Sequence, residues 1–245
     1  MDDIVIFFIW LTILFVVDFC LCWKWGASDD NSKARWFFLH AIANAGVVWC
    51  HWDEVVLVYT NPFECMNVVP DTSGTMIVLA IHVYHVVMFF KSLDILDWIH
   101  HILMCFVILP IGYSLRPGAL LGHGAFWASG LPGGIDYVLL VLVKRKIIPV
   151  ILEKRLNMHI QTWLRAPFCL FHSLLVWITF LQWKDTHPSF KENHMWVFYL
   201  LATFLTCLSY YWNAMYFCSR VITSHAIHVE FSRRISLKDS NEMKL

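Results

Sequence analysis

The sequence predicts an all-α, polytopic membrane protein with about seven transmembrane helices. Of its 245 residues, 59% are hydrophobic and only 15% are charged, whereas soluble domains average about 45–50% apolar and about 25% charged residues. The apolar residues are concentrated in stretches, and the length of these stretches is close to the roughly 20 residues that a helix needs to cross a bilayer. The 18 basic residues balance the 18 acidic ones, so the chain has no net positive charge and we expect no nucleic-acid partner.

Seven stretches meet the length requirement: residues 4–22, 36–59, 75–90, 95–113, 118–143, 168–183 and 196–217. The first follows Met-Asp-Asp and has neither a basic flank nor a cleavage site, which predicts a membrane helix rather than a cleaved signal peptide. The third and sixth are short, and tilt or local thinning of the bilayer would accommodate them. The fifth is interrupted by Gly-Leu-Pro-Gly-Gly at 130–134, which predicts a broken helix buried among its neighbours.

Seven spans place fifteen of the Lys and Arg residues on one side of the membrane, and Arg116, Lys184 and Lys191 on the other. Because basic loops stay in the cytoplasm, the N-terminus is predicted to be lumenal and the C-terminus cytosolic. The longest segment between spans, 144–167, is predicted either as an interfacial helix on anionic headgroups or as a solvated loop. The tail after Glu230 is predicted to be polar and mobile.

Seven of the eight cysteines lie in or at the ends of apolar stretches, and no Cys-x-x-Cys motif occurs. Free Cys in such a setting behaves as a small hydrophobe, whereas zinc and redox sites need cysteines at definite spacings. We therefore expect packing cysteines, without a disulfide framework or a metal site.

Polar side chains recur at one depth of the predicted bundle. An ionisable group inside a span costs about 2.5–3.5 kcal/mol on the insertion scale, so such residues are candidates for function. Counted at about 1.5 Å per residue, the spans place these residues at a similar depth on the cytosolic side: His40, Asn44, His82, His85, His100, His101, Asp136, His172 and Asn213.

Asp97 precedes His100 and His101 by three and four residues, and so shares their helix face. A carboxylate there would fix the tautomer of one imidazole and raise its basicity. Charged and polar residues near the lumenal ends of spans are expected to be ordinary interfacial groups, since charge is inexpensive there; they are His51, Asp53, Glu54 and His123.

Three kinds of chemistry suit these histidines. The first is a metal site, although the HxxxH and HxxHH boxes of membrane di-iron desaturases and hydroxylases do not occur. The second is a haem held between histidines of facing spans. The third is acid–base or covalent chemistry on an acyl group, with the lipid tails housed in the bundle. A retinal pigment is disfavoured, because the seventh span holds no lysine.

Several motifs occur in a recognisable order. Arg-Trp at 35–36 opens the second span, Asp-Trp-Ile-His-His at 97–101 opens the fourth, and an aromatic stretch at 210–217 precedes a basic tail. In this order the chain resembles the TLC domain family of polytopic membrane proteins, which includes the ceramide synthases, over about residues 35–220. The resemblance implies six membrane helices around a lipid-accepting cavity, plus an extra N-terminal helix.

Within this resemblance, His100 and His101 match the adjacent histidine pair of the synthases, and Asp136 matches the second aspartate of their Asp-x-x-Asp motif. Gly133 replaces the first aspartate, and the third span carries histidines in place of the usual acidic residue. We expect His100, His101, Asp97 and Asp136 to be catalytic. The residues expected to bind substrate are His40, Asn44, His82, His85, His172 and Asn213.

The first function hypothesis is an enzyme that transfers a fatty acyl group to a lipid amine or hydroxyl. The resemblance to the ceramide synthases implies acyl-CoA-dependent N-acylation of a lipid in the endoplasmic reticulum membrane, within sphingolipid metabolism. Acyl-CoA is the expected co-substrate, and no tightly bound cofactor is expected. The alternative, favoured by the missing aspartate, is a non-catalytic protein that binds lipids and alters bilayer composition. Membrane lipids and a second copy of the chain are the expected partners. The predicted regions are an N-terminal helix and loop (1–34), a TLC-like domain (35–222) and a cytosolic tail (223–245).

Overall fold

The computed structural model describes residues 2–115, 117–186 and 195–242. Their regular structure is seven continuous helices: α1 (Asp3–Trp25), α2 (Asp29–Thr60), α3 (Ser73–Phe89), α4 (Ile95–Leu115), α5 (Leu120–Lys144), α6 (Val150–Ile160, Gln161–Arg165 and Ala166–Thr186, without a break) and α7 (Met195–Glu242). The all-α class predicted from the sequence is confirmed for these residues.

Among the described residues, five helices are long and apolar enough to cross a membrane: α1, α3 with its extension to Ser92, α4, α5 and α6. They confirm the prediction of a helical membrane protein. The helices α2 and α7 have 32 and 48 residues but are not among the five, because their polar residues lower the mean hydropathy. In α2, two of these polar residues, Asn44 and His51, are buried inside the bundle.

Contacts between helix ends define two ends of the bundle. At the N-terminal end, the Asp3 carboxylate accepts hydrogen bonds from the hydroxyls of Thr72 at 2.6 Å and Tyr113 at 2.7 Å. At the opposite end, which we call the basic end, Lys144 Nζ lies 3.3 Å from the Asp30 carboxylate. Helices α1 to α5 therefore run in alternating directions between the two ends.

Helix α2 packs against α1, α3 and α5 at the centre of the bundle. Two glycines let α5 approach it closely. A Cβ atom at Gly130 would lie 3.3 Å from Val47, and one at Gly133 would lie 3.1 Å from the Asn44 amide nitrogen. Both distances are shorter than ordinary side-chain contacts, so larger residues would push the two helices apart.

The helix break predicted at 130–134 is wrong, since α5 continues through this segment. A π turn at Phe126–Gly130 comes just before Pro132. Proline has no amide hydrogen to donate and crowds the carbonyl four residues earlier. A local π turn relieves this crowding and re-pairs the freed backbone groups, so the helix does not have to end.

The segment 144–167, predicted as an interfacial helix or a solvated loop, is a short loop at 145–149 followed by the first part of α6. Helix α6 begins at Val150 and runs unbroken into the predicted sixth span, packed against α5 and α7. Glu153, Asn157 and Gln161 are spaced four residues apart on one helix face and are all buried. The prediction failed because this polar face points into the bundle rather than into water.

Helix α7 reaches Glu242, so the tail predicted to be mobile after Glu230 is helical as far as that residue. The boundary predicted between residues 222 and 223 falls inside this helix. Of the basic residues counted for the topology, Arg116, Lys191 and Lys244 lie outside the described residues.

A buried ion pair joins the first three helices. Arg35 Nε donates to the Asp18 carboxylate at 2.8 Å, and the Tyr84 hydroxyl donates to the other carboxylate oxygen at 2.9 Å. The same guanidinium donates to the Gly26 carbonyl at 2.9 Å. Because both charges are paired and hydrogen-bonded, they are tolerated among apolar helices. Asp18 is not among the predicted site residues, although it is an ionisable residue inside a span.

Candidate functional site

Five histidines from three helices pack together near the basic end: His40 of α2, His82 and His85 of α3, and His100 and His101 of α4. We call them the imidazole cluster. The ring centroids of His40 and His85 are 4.1 Å apart. The His82 ring lies 5.2 Å from that of His100 and 5.1 Å from that of His101. All five are predicted site residues, and the structure brings them together.

Hydrogen bonds define the tautomers of His82 and His100. His82 Nδ1–H donates to the Val78 carbonyl at 2.7 Å, so His82 Nε2 carries a lone pair. That lone pair accepts from His100 Nε2–H at 3.2 Å. His100 Nδ1 therefore carries a lone pair that can take up a proton. His100 is exposed, whereas His82, His85 and His101 are buried.

His85 lies at the interior of the cluster. It is fully buried, and within the described residues neither of its ring nitrogens has a hydrogen-bond partner. Its ring packs against Trp36 with centroids 4.8 Å apart. Nδ1 of His101 is likewise buried without a partner. Since an unpaired buried polar atom costs about 1–3 kcal/mol, these nitrogens mark a place for water or a polar ligand.

Helix α5 contributes Tyr137 to the cluster. The Tyr137 ring stacks on the His40 ring, with centroids 4.2 Å apart and 16° between the planes. His40 Nδ1 lies 3.1 Å from the Trp36 carbonyl oxygen. Tyr137 was not predicted as a site residue, because nothing in the sequence distinguishes it from the many other aromatic residues of the spans.

Asp97 caps α4 instead of orienting an imidazole. Its carboxylate accepts from the Asp94 backbone amide at 3.2 Å, and the Asp94 carboxylate accepts from the Asp97 amide at 2.9 Å. This reciprocal capping box satisfies amides at the start of the helix. Among the described residues, no hydrogen bond joins Asp97 to His100 or His101. His100 is held by His82 instead.

Asp136 faces α6 rather than the imidazoles. It lies near Glu153, Asn157 and Arg165, and its Oδ1 atom is buried and has no hydrogen-bond partner in the ranges that the structure describes. Along α6, Asn157 Nδ2 donates to Glu153 at 3.5 Å, and Gln161 Nε2 donates to Asn157 at 3.2 Å. This buried polar row was missed because its residues were assigned to a loop or a surface helix.

His172 belongs to a second histidine pair, away from the imidazole cluster. Its Nδ1 lies 3.1 Å from His123 Nδ1, and His123 Nε2 lies 2.9 Å from the Tyr59 hydroxyl. The His172 ring also packs against Tyr210 with centroids 4.2 Å apart. The predicted depth of His172 is wrong, because it was counted from residue 168 whereas α6 begins at Val150.

Two further predicted residues are Asn44 and Asn213. Asn44 is buried between α2 and α5, and the Oδ1 atom of Asn213 on α7 is buried and has no hydrogen-bond partner among the residues that the structure describes. The structure thus brings five of the ten predicted site residues into one cluster. The other five are Asn44, Asp97, Asp136, His172 and Asn213.

A third histidine contact, which we call the His51–Glu54 clasp, lies towards the N-terminal end. His51 Nδ1 lies 2.7 Å from one Glu54 carboxylate oxygen, and the other oxygen accepts from the Asp71 amide at 2.8 Å. His51 is fully buried and fits between Gly74 and Gly122. The expectation that His51 is an interfacial residue is therefore wrong.

In the part of the chain that the structure describes, no group of three or more His, Cys, Asp or Glu side chains is arranged to hold a metal ion. Comparison with protein-family models, with curated proteins and with solved structures finds no match to this chain. The functional inference therefore rests on the side-chain geometry of this chain.

Proposed function

We propose that the protein is a seven-span membrane protein that transfers a fatty acyl group to a lipid, with His100 as the general base. The observation that carries this proposal is the hydrogen-bonded chain from the Val78 carbonyl through His82 to His100. It leaves Nδ1 unprotonated on His100, an exposed residue of the cluster. A positioned base of this kind is what the attack of an amine or hydroxyl on an acyl carbon requires.

In the proposed reaction, a lipid amine attacks the thioester carbon of acyl-CoA while the amine proton passes to His100 Nδ1. The tetrahedral intermediate then expels the CoA thiolate, which takes that proton from the imidazolium. A C–N bond forms, a C–S bond breaks, and the imidazole returns to its starting state. His82 stabilises the charged intermediate state by accepting from His100 Nε2–H.

The surface beside His100 supports a lipid substrate. On α4, the side chains of Ile99, Leu103 and Phe106 are 48%, 48% and 77% exposed. An apolar helix face of this kind contacts hydrocarbon in a bilayer. An acyl chain can therefore lie along α4 with its carbonyl group beside the cluster.

The resemblance of residues 35–220 to the TLC domain family supports acyl-CoA as the donor, sphingolipid metabolism as the setting and the endoplasmic reticulum as the location. The distribution of basic residues supports a cytosolic basic end and a lumenal N-terminus. In this topology α2 and α7 also cross the membrane. The alternating directions of α1 to α5 agree with that arrangement.

A non-catalytic lipid-binding protein is the second candidate. Two observations favour it: Asp97 caps α4 rather than orienting an imidazole, and Gly133 stands where the synthases have their first aspartate. In that case the imidazole cluster binds a polar lipid group between the helices and performs no chemistry.

Turnover distinguishes the two candidates, because the catalytic candidate predicts turnover by the wild type and its loss in His100→Ala. The assay follows acylation of a long-chain amine by palmitoyl-CoA, using full-length protein purified into phosphatidylcholine nanodiscs. Loss of the general base should lower the rate by about 10²–10⁴-fold, and His82→Ala should lower it less. His159→Ala, at an exposed histidine of α6, is the matched control. Turnover by folded His100→Ala at the wild-type rate would refute the proposed catalysis.

The topology has its own test. The chain contains no Asn-x-Ser/Thr site, so an engineered acceptor in the loop between Thr60 and Ser73 reports only on that loop. We expect glycosylation of this acceptor and none of an acceptor placed between Lys144 and Val150. The reverse pattern would overturn the proposed orientation.

A further inference from the structure

Arg165 is a cation inside α6 that none of the contacts described so far explains. It ends a π turn at Gln161–Arg165, and π turns in helices often occur at functional sites. Its guanidinium lies over the Phe217 ring of α7, 4.6 Å from the centroid. The Nε atom is buried and, among the described residues, has no hydrogen-bond partner.

Polar groups of four helices converge around this guanidinium. Arg165 lies within electrostatic reach of His100 on α4, and of Asp136 and Tyr137 on α5. Asn213 lies one helical turn before Phe217 on α7, and therefore on the same helix face.

Within the described part of the chain, three buried atoms of this region have no hydrogen-bond partner: Arg165 Nε is an unused donor, whereas the Oδ1 atoms of Asp136 and Asn213 are unused acceptors. Buried polar atoms are normally paired with protein, water or ligand. A cation inside a membrane helix is a candidate binding residue for the same reason. The region is therefore built for a group that accepts a hydrogen bond from Arg165.

We propose that Arg165 binds the oxygen of an acyl group, either the carboxylate of a fatty acid or the carbonyl of an acyl thioester. A guanidinium offers N–H donors in a planar fork that suits acyl oxygens. The exposed apolar face of α4 provides the surface for the attached chain, and His100 on the same helix lies within electrostatic reach of Arg165. The inference rests on the proposed function and deepens it, since it assigns the residue that positions the acyl donor.

Equilibrium binding tests this assignment without turnover. Full-length protein in phosphatidylcholine nanodiscs is loaded with the fluorescent fatty acid cis-parinarate, which is then displaced by palmitate, palmitoyl-CoA or hexadecanol. We expect palmitate to compete at least about 10-fold better than hexadecanol, because a charge-assisted hydrogen bond to the carboxylate contributes about 1.5–3 kcal/mol. Arg165→Gln should abolish this preference and Arg165→Lys should keep part of it.

Three further variants control the experiment. Arg155→Gln, at an exposed arginine of the same helix, should bind palmitate as the wild type does. Asp136→Asn should strengthen palmitate binding, because it removes a negative charge near the carboxylate. Phe217→Leu removes the ring under the guanidinium and should weaken the preference, which keeps the proposal testable if Arg165→Gln does not fold.

The competitors also identify the source of the acyl oxygen. If competition by palmitoyl-CoA also depends on Arg165, the thioester is the ligand; if only palmitate depends on Arg165, the free fatty acid is the ligand. The proposal is overturned if folded Arg165→Gln retains the wild-type preference. It is also overturned if lysophosphatidic acid shows a stronger Arg165-dependent preference than palmitate, because the site would then recognise a phosphate.

His100→Ala separates this inference from the proposed function. This variant should keep the palmitate preference while losing turnover. Normal turnover in His100→Ala with an Arg165-dependent preference would refute the catalytic role and leave the acyl-binding site standing. Lost turnover in His100→Ala, with no effect of Arg165 on binding, would refute the acyl-binding site alone.

Discussion

Replacing Gly122 with alanine should destabilise the bundle through the His51–Glu54 clasp. A Cβ atom at Gly122 would overlap Glu54 Oε2 and lie 2.7 Å from His51 Cγ. His51 cannot retreat, because its other side abuts Gly74, where a Cβ would overlap His51 Nε2. The carboxylate must therefore move and lose its hydrogen bonds to His51 and to the Asp71 amide.

The expected loss follows from those two hydrogen bonds. A hydrogen bond to a charged group contributes about 1.5–3 kcal/mol, so displacing both costs about 3–6 kcal/mol. Alanine recovers about 1 kcal/mol through its higher helix propensity. The net change of about 2–5 kcal/mol should lower the unfolding temperature by about 4–20 °C, since 1 kcal/mol corresponds to about 2–4 °C in a chain of this size.

Gly112→Ala is the matched control, because a Cβ there would lie 3.5 Å from Leu121 Cδ1, an ordinary contact. The assay heats purified protein in detergent and measures the fraction that remains monodisperse by size-exclusion chromatography. Equal thermal stability of Gly122→Ala and Gly112→Ala would refute the reasoning, since it would mean that the clasp contributes nothing to folding.

Three further predictions concern other contacts. Asp97→Ala removes one half of the capping box, the hydrogen bond from the Asp94 amide, and should lower the free energy of unfolding by about 0.5–1.5 kcal/mol; an unchanged thermal transition would show that the cap is dispensable. Arg35→Ala leaves the Asp18 carboxylate buried without its partner and should cost about 3–5 kcal/mol. The double variant Arg35→Met with Asp18→Asn should recover part of that loss in the same heating assay, and no recovery would contradict the ion-pair argument. Burial raises the pKa of the Cys65 thiol, which lowers its thiolate fraction at neutral pH. Maleimide labelling of Cys65, mapped by mass spectrometry, should therefore be slow at pH 7 and accelerate as the pH rises; a rate independent of pH would contradict this.

Hydropathy predicts the helices well because lipid-facing residues must be apolar along their whole length. Hydropathy is a poorer predictor for α2 and the first half of α6, because the polar residues of these segments face other helices. Glu153 and Asn157 illustrate the difficulty: the same residues on a surface helix would give the same composition. The direction in which a polar face points depends on its packing partners, which a local pattern does not contain.

The imidazole cluster could be anticipated in part, because the depth of a histidine follows from counting residues along a helix. Counting residues gives the wrong depth where the start of a helix is misjudged, as for His172. It also gives the wrong helix face where a π turn adds a residue and rotates the side chains that follow. Arg165 lies at the end of such a turn. The role of Asp97 also escaped prediction, since the spacing that places it beside two histidines is equally the spacing of a capping box.

The central position of α2 has a consequence for how the protein is made. This helix supplies Arg35 to the buried ion pair, His40 to the imidazole cluster and His51 to the clasp. If α2 crosses the membrane as proposed, a helix with so many polar groups gains little by leaving the translocon for lipid alone. Its release into the bilayer would then become favourable only when α1 and α3 have brought Asp18 and Tyr84 to Arg35. The contacts that build the site would thus also set the order in which the first three helices leave the translocon.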